Sequence, residues 1–193
     1  PRFATENSSN RYVLSYFGVT ERGDRVLDSL RSHPLSPSFI DHLKQQAAIT
    51  DSVLANLEDA SECLRRGLLR AAVVMIGLAV EETISVSIDA LVHLSKMTPV
   101  PSWKASVQLA HLKAAVDVWT STPSTQREEK LKMTTAVAAF DSIRTVRNEA
   151  AHPGPVTLGR EQIESLLILA SLQIPVMWQI PIGQAVSQGF VLV

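Results

Sequence analysis

The sequence predicts an all-α protein, a helical bundle of about five main helices. Hydrophobic residues make up 46% of the 193 residues but aromatic residues only 5%. Alanine and leucine are frequent, a composition that favours helices over a β-sandwich or a barrel. Apolar residues recur three and four positions apart through most of the chain, which is the spacing of helices with one buried face. A chain of this length suits one domain with a sizeable core.

The best candidate for a domain boundary is the run of helix-breaking residues at positions 32–37, Ser-His-Pro-Leu-Ser-Pro. Clusters of serine and proline between periodic segments are typical of loops. We therefore expect residues 1–36 to form an N-terminal arm, which could be separate, and residues 37–193 to form the helical domain. The short apolar and aromatic stretch at residues 12–17 is compatible with either a helix or a strand.

The first elements of the domain follow from its apolar residues and breakers. A helix is predicted over about residues 38–57, with Ser38 as its N-cap, and helix, a kink or a short loop follows around residues 58–61. Residues 62–96 are apolar on nearly every side, which predicts the central helix of the bundle. Gly77 within this segment would allow a neighbouring element to approach closely.

Three further helices are predicted beyond a proline-containing loop at residues 97–102. They cover about residues 103–119, 126–151 and 160–174. Pro175 is expected to end or kink the last helix, because proline lacks the amide hydrogen that a helix interior uses. The final five residues, Gly-Phe-Val-Leu-Val, are strand-like or covered by a partner.

Charge and cysteine content limit the classes of protein to consider. The net charge of -1 argues against broad electrostatic attachment to nucleic acid, but it leaves room for a local pocket that holds a few phosphates. The single cysteine, Cys63, excludes an internal disulfide and fits a reducing cytoplasm. The most apolar run, residues 68–80, ends at Glu81 and is too short to span a bilayer, and no signal peptide is visible. We expect a cytoplasmic protein without membrane attachment.

Several familiar kinds of site are missing from the sequence. It contains no phosphate-binding Gly-Lys-Ser/Thr loop, no glycine-rich dinucleotide turn and no Gly-x-Ser-x-Gly nucleophile elbow. The five histidines show no metal-ligand spacing. We therefore expect neither a bound metal nor a cofactor, and one polar cluster remains as the candidate site.

That cluster lies at positions 144–153, Arg-Thr-Val-Arg-Asn-Glu-Ala-Ala-His-Pro, and closes the fourth predicted helix. On a helical wheel, Arg147 falls near the middle of an apolar face, and Asn148 and His152, four positions apart, share its edge. The apolar face consists of Ala136, Val137, Phe140, Ile143, Val146 and Ala150. Pro153 disfavours a helical conformation at His152, so we expect the helix to end there.

Arg147 is costly on an apolar face unless its charge is used, because a guanidinium is not deprotonated in proteins. It could bind a ligand anion or a partner surface. Alternatively it could pair with Glu81, Glu82 or Asp89 of the central helix and simply tie the bundle together. His152 could cap the helix C-terminus, where the helix dipole favours an imidazolium.

Glu81 and Glu82 interrupt the most buried-looking helix, so each must be paired or face a cavity. A plain salt bridge is the simpler expectation for them. The other is that one of them orients Arg147 or His152 from behind. We assign Arg144 to the same supporting set.

The string at positions 144–153 resembles the motif of the HEPN superfamily (higher eukaryotes and prokaryotes nucleotide-binding domains). In that family an Arg, usually followed by a polar residue, precedes a His by a few positions at the end of a helix in an all-α bundle. Arg147, Asn148 and His152 match these three positions. The motif covers positions 147–152, and the helical pattern extends a looser resemblance over about residues 37–180.

The resemblance implies a metal-independent endoribonuclease that acts as a homodimer, with the motif helices of two protomers facing each other across a shared cleft. His152 would move a proton of the ribose 2′-hydroxyl or of the leaving oxygen. Arg147 would clamp the scissile phosphate, and Asn148 would hold the His or a phosphate oxygen. The product would carry a 2′,3′-cyclic phosphate. By analogy the protein would be a toxin or an antiviral effector, with RNA, an antitoxin or fused domains as partners.

An alternative of another class stays open. Other HEPN domains are non-catalytic interaction or nucleotide-binding modules within larger proteins. The near-neutral charge favours this alternative, as does a chain that opens at Pro1 without an initiator Met, which suggests a processed or excised piece. Burial of His152 within one protomer would weaken the enzyme interpretation.

Overall fold

The computed structural model describes residues 33–99, 104–120, 127–152 and 158–192, together with two short strands near the N-terminus. Within these residues, six helices form the bundle. They are α1 (Phe39–Gln46), α2 (Asp51–Arg65), α3 (Leu69–His93), α4 (Ala105–Thr120), α5 (Arg127–Ala151) and α6 (Arg160–Met177). The predicted all-α bundle is confirmed, with six helices in the described part rather than about five.

Helix α3 is the centre of the bundle, as its all-round hydrophobicity predicts. It packs against α2, α4, α5 and α6, and its buried residues cover about half of its circumference, from Ala79 on one edge to Ile88 on the other. The opposite side is partly covered: Glu81 and Glu82 have intermediate exposure, whereas Asp89 is exposed. Glu81 and Glu82 lie where this side of α3 meets other elements.

The prediction for the N-terminal part of the bundle was wrong in its boundaries. The helix expected over residues 38–57 is split, because residues 47–50 leave the helical conformation and α2 begins after Thr50. Residues 58–61, for which helix, a kink and a short loop were all open, are continuous helix. The chain turns after Arg65, where Gly67 adopts a φ of +75° that glycine tolerates and other residues rarely take. The central helix accordingly starts at Leu69 rather than at residue 62.

Pro175 does not end the last helix, which excludes one of the two expected outcomes, an end or a kink. Helix α6 runs past it to Met177, continues as the π-helical turn Trp178–Ile182 and then as the short helix Gly183–Ser187. The wider π turn contains Pro181 and accommodates the irregular backbone hydrogen bonding. Pro175 and Pro181 are both buried, so tertiary packing holds the chain helical where local preference would break it.

The C-terminal tail is a helix cap rather than a strand, as far as Leu192. Gly189 has a φ of +93°, and the Phe190 N–H donates to the Ala185 carbonyl at 3.0 Å. The Phe190 ring then lies against the imidazole of His93, with 5.6 Å between ring centroids. The tail therefore folds back onto the end of α3.

The N-terminal region contributes a small pairing and a contact segment. Strands β1 (Thr5–Glu6) and β2 (Tyr12–Val13) pair antiparallel. Pro34 is buried and its carbonyl accepts a hydrogen bond from the Ser61 hydroxyl, so the chain already packs on the bundle before the predicted boundary at residue 36. The remaining expectations for residues 1–32, for the loops at 100–103 and 121–126 and for the stop after His152 lie outside the described residues.

In the part of the chain that the structure describes, two stretches of helix are long and apolar enough to cross a membrane by length and composition. They are Leu69–His93 and the continuous run Arg160–Ser187. The sequence analysis took the apolar run to end at Glu81 and therefore to be too short for a membrane. Helix α3 continues beyond Glu81 for about three more turns, to His93. About half of each apolar window is buried inside the bundle, 56% and 50%. Core helices of globular proteins have the same property, so these lengths are weak evidence for a membrane.

Candidate functional site

The candidate site lies where the C-terminal half of α5 faces the middle of α3 and the start of α4. A cavity of about 330 Å³ opens there. Its lining residues are Glu81, Lys104, Ala105, Ser106, Arg144, Arg147 and Asn148. Helix α5 ends at Ala151 as predicted, and its apolar face, including Ala136, Phe140 and Ile143, is buried as predicted.

Gly77 permits the approach of Arg147 to α3. The aliphatic part of the Arg147 side chain lies against the Gly77 backbone so closely that a Cβ atom on Gly77 would overlap the Cγ of Arg147. The predicted close approach at this glycine is therefore confirmed, and the neighbour is the arginine of the motif. The stem of Arg147 is buried in this notch, while its guanidinium reaches the cavity.

The guanidinium of Arg147 makes two long contacts with protein partners. One Nη atom donates to Asn148 Oδ1 at 3.3 Å, and the other lies 3.4 Å from Glu81 Oε2. Strong charge-assisted hydrogen bonds of this type measure about 2.7–2.9 Å. The Nε of Arg147 is buried and has no partner among the described residues. Because a guanidinium has five N–H donors, much of its hydrogen-bonding capacity is not used by the residues that the structure describes.

The two neighbouring glutamates have different roles. Glu81 faces Arg147 and the cavity. Glu82 instead accepts hydrogen bonds from the hydroxyls of Thr50 at 3.1 Å and Ser52 at 2.7 Å. It therefore ties the start of α2 to α3 and lies outside the cavity lining. The sequence left open which carboxylate meets Arg147, and the structure selects Glu81 over Glu82 and Asp89.

Arg144 lies one turn before Arg147 and lines the same cavity. Its Nη2 is 3.0 Å from Asp141 Oδ1, an ion pair within α5. The side chain is only 20% exposed, and its Nε is buried without a partner among the described residues. Arg144 does not contact Glu81 or Arg147 through a hydrogen bond, so it contributes to the cavity wall and its charge rather than to the orientation of Arg147.

His152 is not part of the cavity lining. It directly follows the last residue of α5 and is exposed. It makes no hydrogen bond or ion pair with any residue in the described part of the chain. The structure therefore brings Arg147, Asn148, Glu81 and Arg144 together and leaves His152 projecting from the end of the same helix.

The cavity has a positive lining for a chain of net charge -1. Lys104, Arg144 and Arg147 supply three cations against the one carboxylate of Glu81, and Arg144 is also paired with Asp141 beside the cavity. An excess of positive charge in a concave surface attracts anions.

Lys104 was missed by the sequence analysis, because a lysine in front of a helix carries no local signal that it lines the same cavity as a distant arginine. Among the described residues, no group of three His, Cys, Asp or Glu side chains is arranged to hold a metal.

Comparisons of this chain with protein-family models, with curated proteins and with solved structures find no match. The functional argument therefore depends on the geometry of the site and on the resemblance of the motif at residues 147–152.

Proposed function

We propose that this chain is a metal-independent endoribonuclease of the HEPN type, with a composite active site in a homodimer. The observation that carries the proposal is the state of Arg147. It is brought to a positively lined cavity, beside Asn148, and within the described part of the chain it makes only two long hydrogen bonds. An arginine with unused donors in such a cavity is suited to hold a phosphate.

Cleavage would proceed by attack of the ribose 2′-hydroxyl oxygen on the adjacent phosphorus. Arg147, with Arg144 nearby, would bind the non-bridging oxygens and stabilise the negative charge that develops on them. His152 would take the proton of the 2′-hydroxyl or give one to the departing 5′-oxygen. The P–O5′ bond breaks as the new P–O2′ bond forms, so the products are a 2′,3′-cyclic phosphate and a 5′-hydroxyl.

The position of His152 supports a composite site. Within one protomer the cavity contains Arg147 but not His152, which is exposed at the end of α5. A second copy related by a twofold axis would bring its own His152 towards this cavity, and each protomer would supply one half of two equivalent sites. A cytoplasmic toxin or antiviral effector, controlled by an antitoxin or by fused domains, is the setting that we propose on analogy.

The contact between Arg147 and Glu81 favours a second candidate function. It gives Arg147 a partner within its own protomer. Such a partner is expected if the arginine only supports the fold, as in a non-catalytic HEPN interaction or nucleotide-binding module. The long distance and the partial exposure of both side chains make this contact weak. We therefore place the ribonuclease first.

The direct test is incubation of the purified protein with RNA in the presence of EDTA. We expect cleavage by the wild type, loss of cleavage in Arg147→Ala and His152→Ala, and cyclic phosphate ends on the products. His111→Ala is a matched control, because His111 is an exposed histidine of α4 and is not among the residues that line the cavity. Intact RNA with the wild type would favour the interaction module.

A further inference from the structure

A second cavity adjoins the site and belongs to the groove between α4 and α5. Its volume is about 450 Å³. The lining residues are Ser106, Leu109, Ala110, Lys113, Val116, Asp117, Thr134, Val137, Ala138, Asp141 and Arg144. Ser106 and Arg144 line both cavities, so the two lie side by side.

The two cavities differ in chemical character. The first has three cations and one carboxylate, which suits an anion. The second has an apolar floor of Leu109, Val116 and Val137, all buried, and polar groups at its rim. A volume of this size is within the range of about 300–1,000 Å³ that small-molecule sites occupy. An anionic group joined to a flat, partly apolar group would fill both.

The rim of the groove offers hydrogen-bonding groups of both kinds. Asp117 and Asp141 present carboxylate oxygens, of which Asp141 Oδ1 already pairs with Arg144 at 3.0 Å, and Lys113 presents an ammonium donor. Lysine commonly binds O6 and N7 of guanine, and carboxylates accept from amino groups of bases. Guanine also has two adjacent Watson–Crick donors, which match an acceptor-only carboxylate better than the carbonyl-flanked N–H of uracil does.

We propose that the groove between α4 and α5 is the base subsite of this protein and that it binds the guanine of a nucleotide whose phosphate lies at Arg144 and Arg147. This inference rests on the proposed function, because it assigns a base preference to the same RNA site. A guanine subsite would make the protein selective for guanosine next to the scissile phosphate. Recognition would then depend on this local site, because the chain as a whole has too little positive charge for general attachment to RNA.

The test is calorimetric titration with 5′-GMP, 5′-UMP and inorganic phosphate, which requires no catalysis. Ala110→Trp and Ala138→Trp fill the groove from its opposite walls. Both alanines are exposed on helices, so folding is retained in at least one variant, as circular dichroism checks. The matched control is Ala55→Trp, an exposed alanine of α2 that lines neither cavity.

We expect GMP to bind at least tenfold more tightly than UMP and phosphate. Each groove variant should lose at least tenfold in GMP affinity while phosphate affinity stays unchanged, and Ala55→Trp should match the wild type. Unchanged GMP affinity in both folded groove variants would overturn the base subsite, as would equal affinity for GMP and UMP, even if the wild type cleaves RNA. Groove-dependent GMP binding by a wild type that leaves RNA intact would support the subsite and overturn the ribonuclease.

Discussion

The backbone of Gly77 in α3 is covered by the side chain of Arg147 from α5. A Cβ atom on Gly77 would lie 2.8 Å from the Cβ of Arg147 and would overlap its Cγ. The arginine therefore owes its position to the absence of a side chain on the facing helix. This contact, rather than the pair with Glu81, determines where the guanidinium enters the cavity.

Gly77→Ala should displace Arg147 and reduce RNA cleavage at least tenfold. Alanine gains about 1 kcal/mol of helix propensity, whereas overpacking costs about 1–3 kcal/mol. We expect the free energy of unfolding, measured in urea, to fall by up to about 2 kcal/mol. Gly67→Ala is the control: it forces a side chain into a left-handed conformation with open space around it, so stability should fall while cleavage is unchanged. A Gly77→Ala variant more stable than the wild type would contradict the close contact.

The interaction between Arg147 and Glu81 can be measured by a double-mutant cycle of Arg147→Ala and Glu81→Ala in urea unfolding. The side chains are 26% and 22% exposed and 3.4 Å apart, so we expect a coupling free energy below about 1 kcal/mol. A buried structural pair would instead lose about 3–5 kcal/mol of unfolding free energy in each single variant, because the other charge is left unpaired. A loss of that size in Arg147→Ala or Glu81→Ala would assign Arg147 to scaffolding and favour the interaction module.

His152→Ala should abolish cleavage with little effect on folding. The residue is exposed beyond the end of α5, where truncation removes at most a dipole contribution of about 1 kcal/mol. Melting temperatures of His152→Ala and of the control His111→Ala should both lie close to that of the wild type. Cleavage that persists in His152→Ala would remove this histidine from the mechanism.

Mixing the two inactive variants should restore activity if the site is composite. In a dimer of one Arg147→Ala and one His152→Ala protomer, one of the two sites combines an intact Arg147 with the partner's intact histidine. Random exchange makes half of the dimers mixed, so about a quarter of the wild-type activity should return. Sedimentation at micromolar concentration should show a dimer. An inactive mixture, with exchange verified, would place both residues in one protomer's site or outside any site.

Glu82→Ala should destabilise the fold and leave RNA cleavage intact. Its carboxylate accepts hydrogen bonds from Thr50 and Ser52 at the start of α2. Loss of the acceptor for the partly buried Thr50 hydroxyl costs about 1–3 kcal/mol, and the exposed Ser52 hydroxyl can bind water instead. Urea unfolding and the RNA assay on Glu81→Ala and Glu82→Ala together separate the two roles. Loss of cleavage in a folded Glu82→Ala variant would contradict this assignment.

Local pattern determined much of the site helix. The apolar period of α5, the proline after His152 and the acidic start of the helix predict an element that the structure places at Arg127–Ala151. The same pattern marks Arg147 as anomalous, because the helical period alone puts it on the buried face. Gly77 in a uniformly apolar helix likewise predicts a close neighbour, although not which one.

Only the tertiary structure decided the partners and the boundaries that depend on them. Glu81 and Glu82 are about 100° apart around α3, and both sides of a central helix meet other elements, so period alone cannot tell which of them meets Arg147. The break before α2 is stabilised by Thr50 and Ser52 reaching Glu82, some thirty positions along the chain. Pro175 remains helical because it is buried. In each case a contact distant in sequence outweighs the local preference, and only the packed bundle contains that contact.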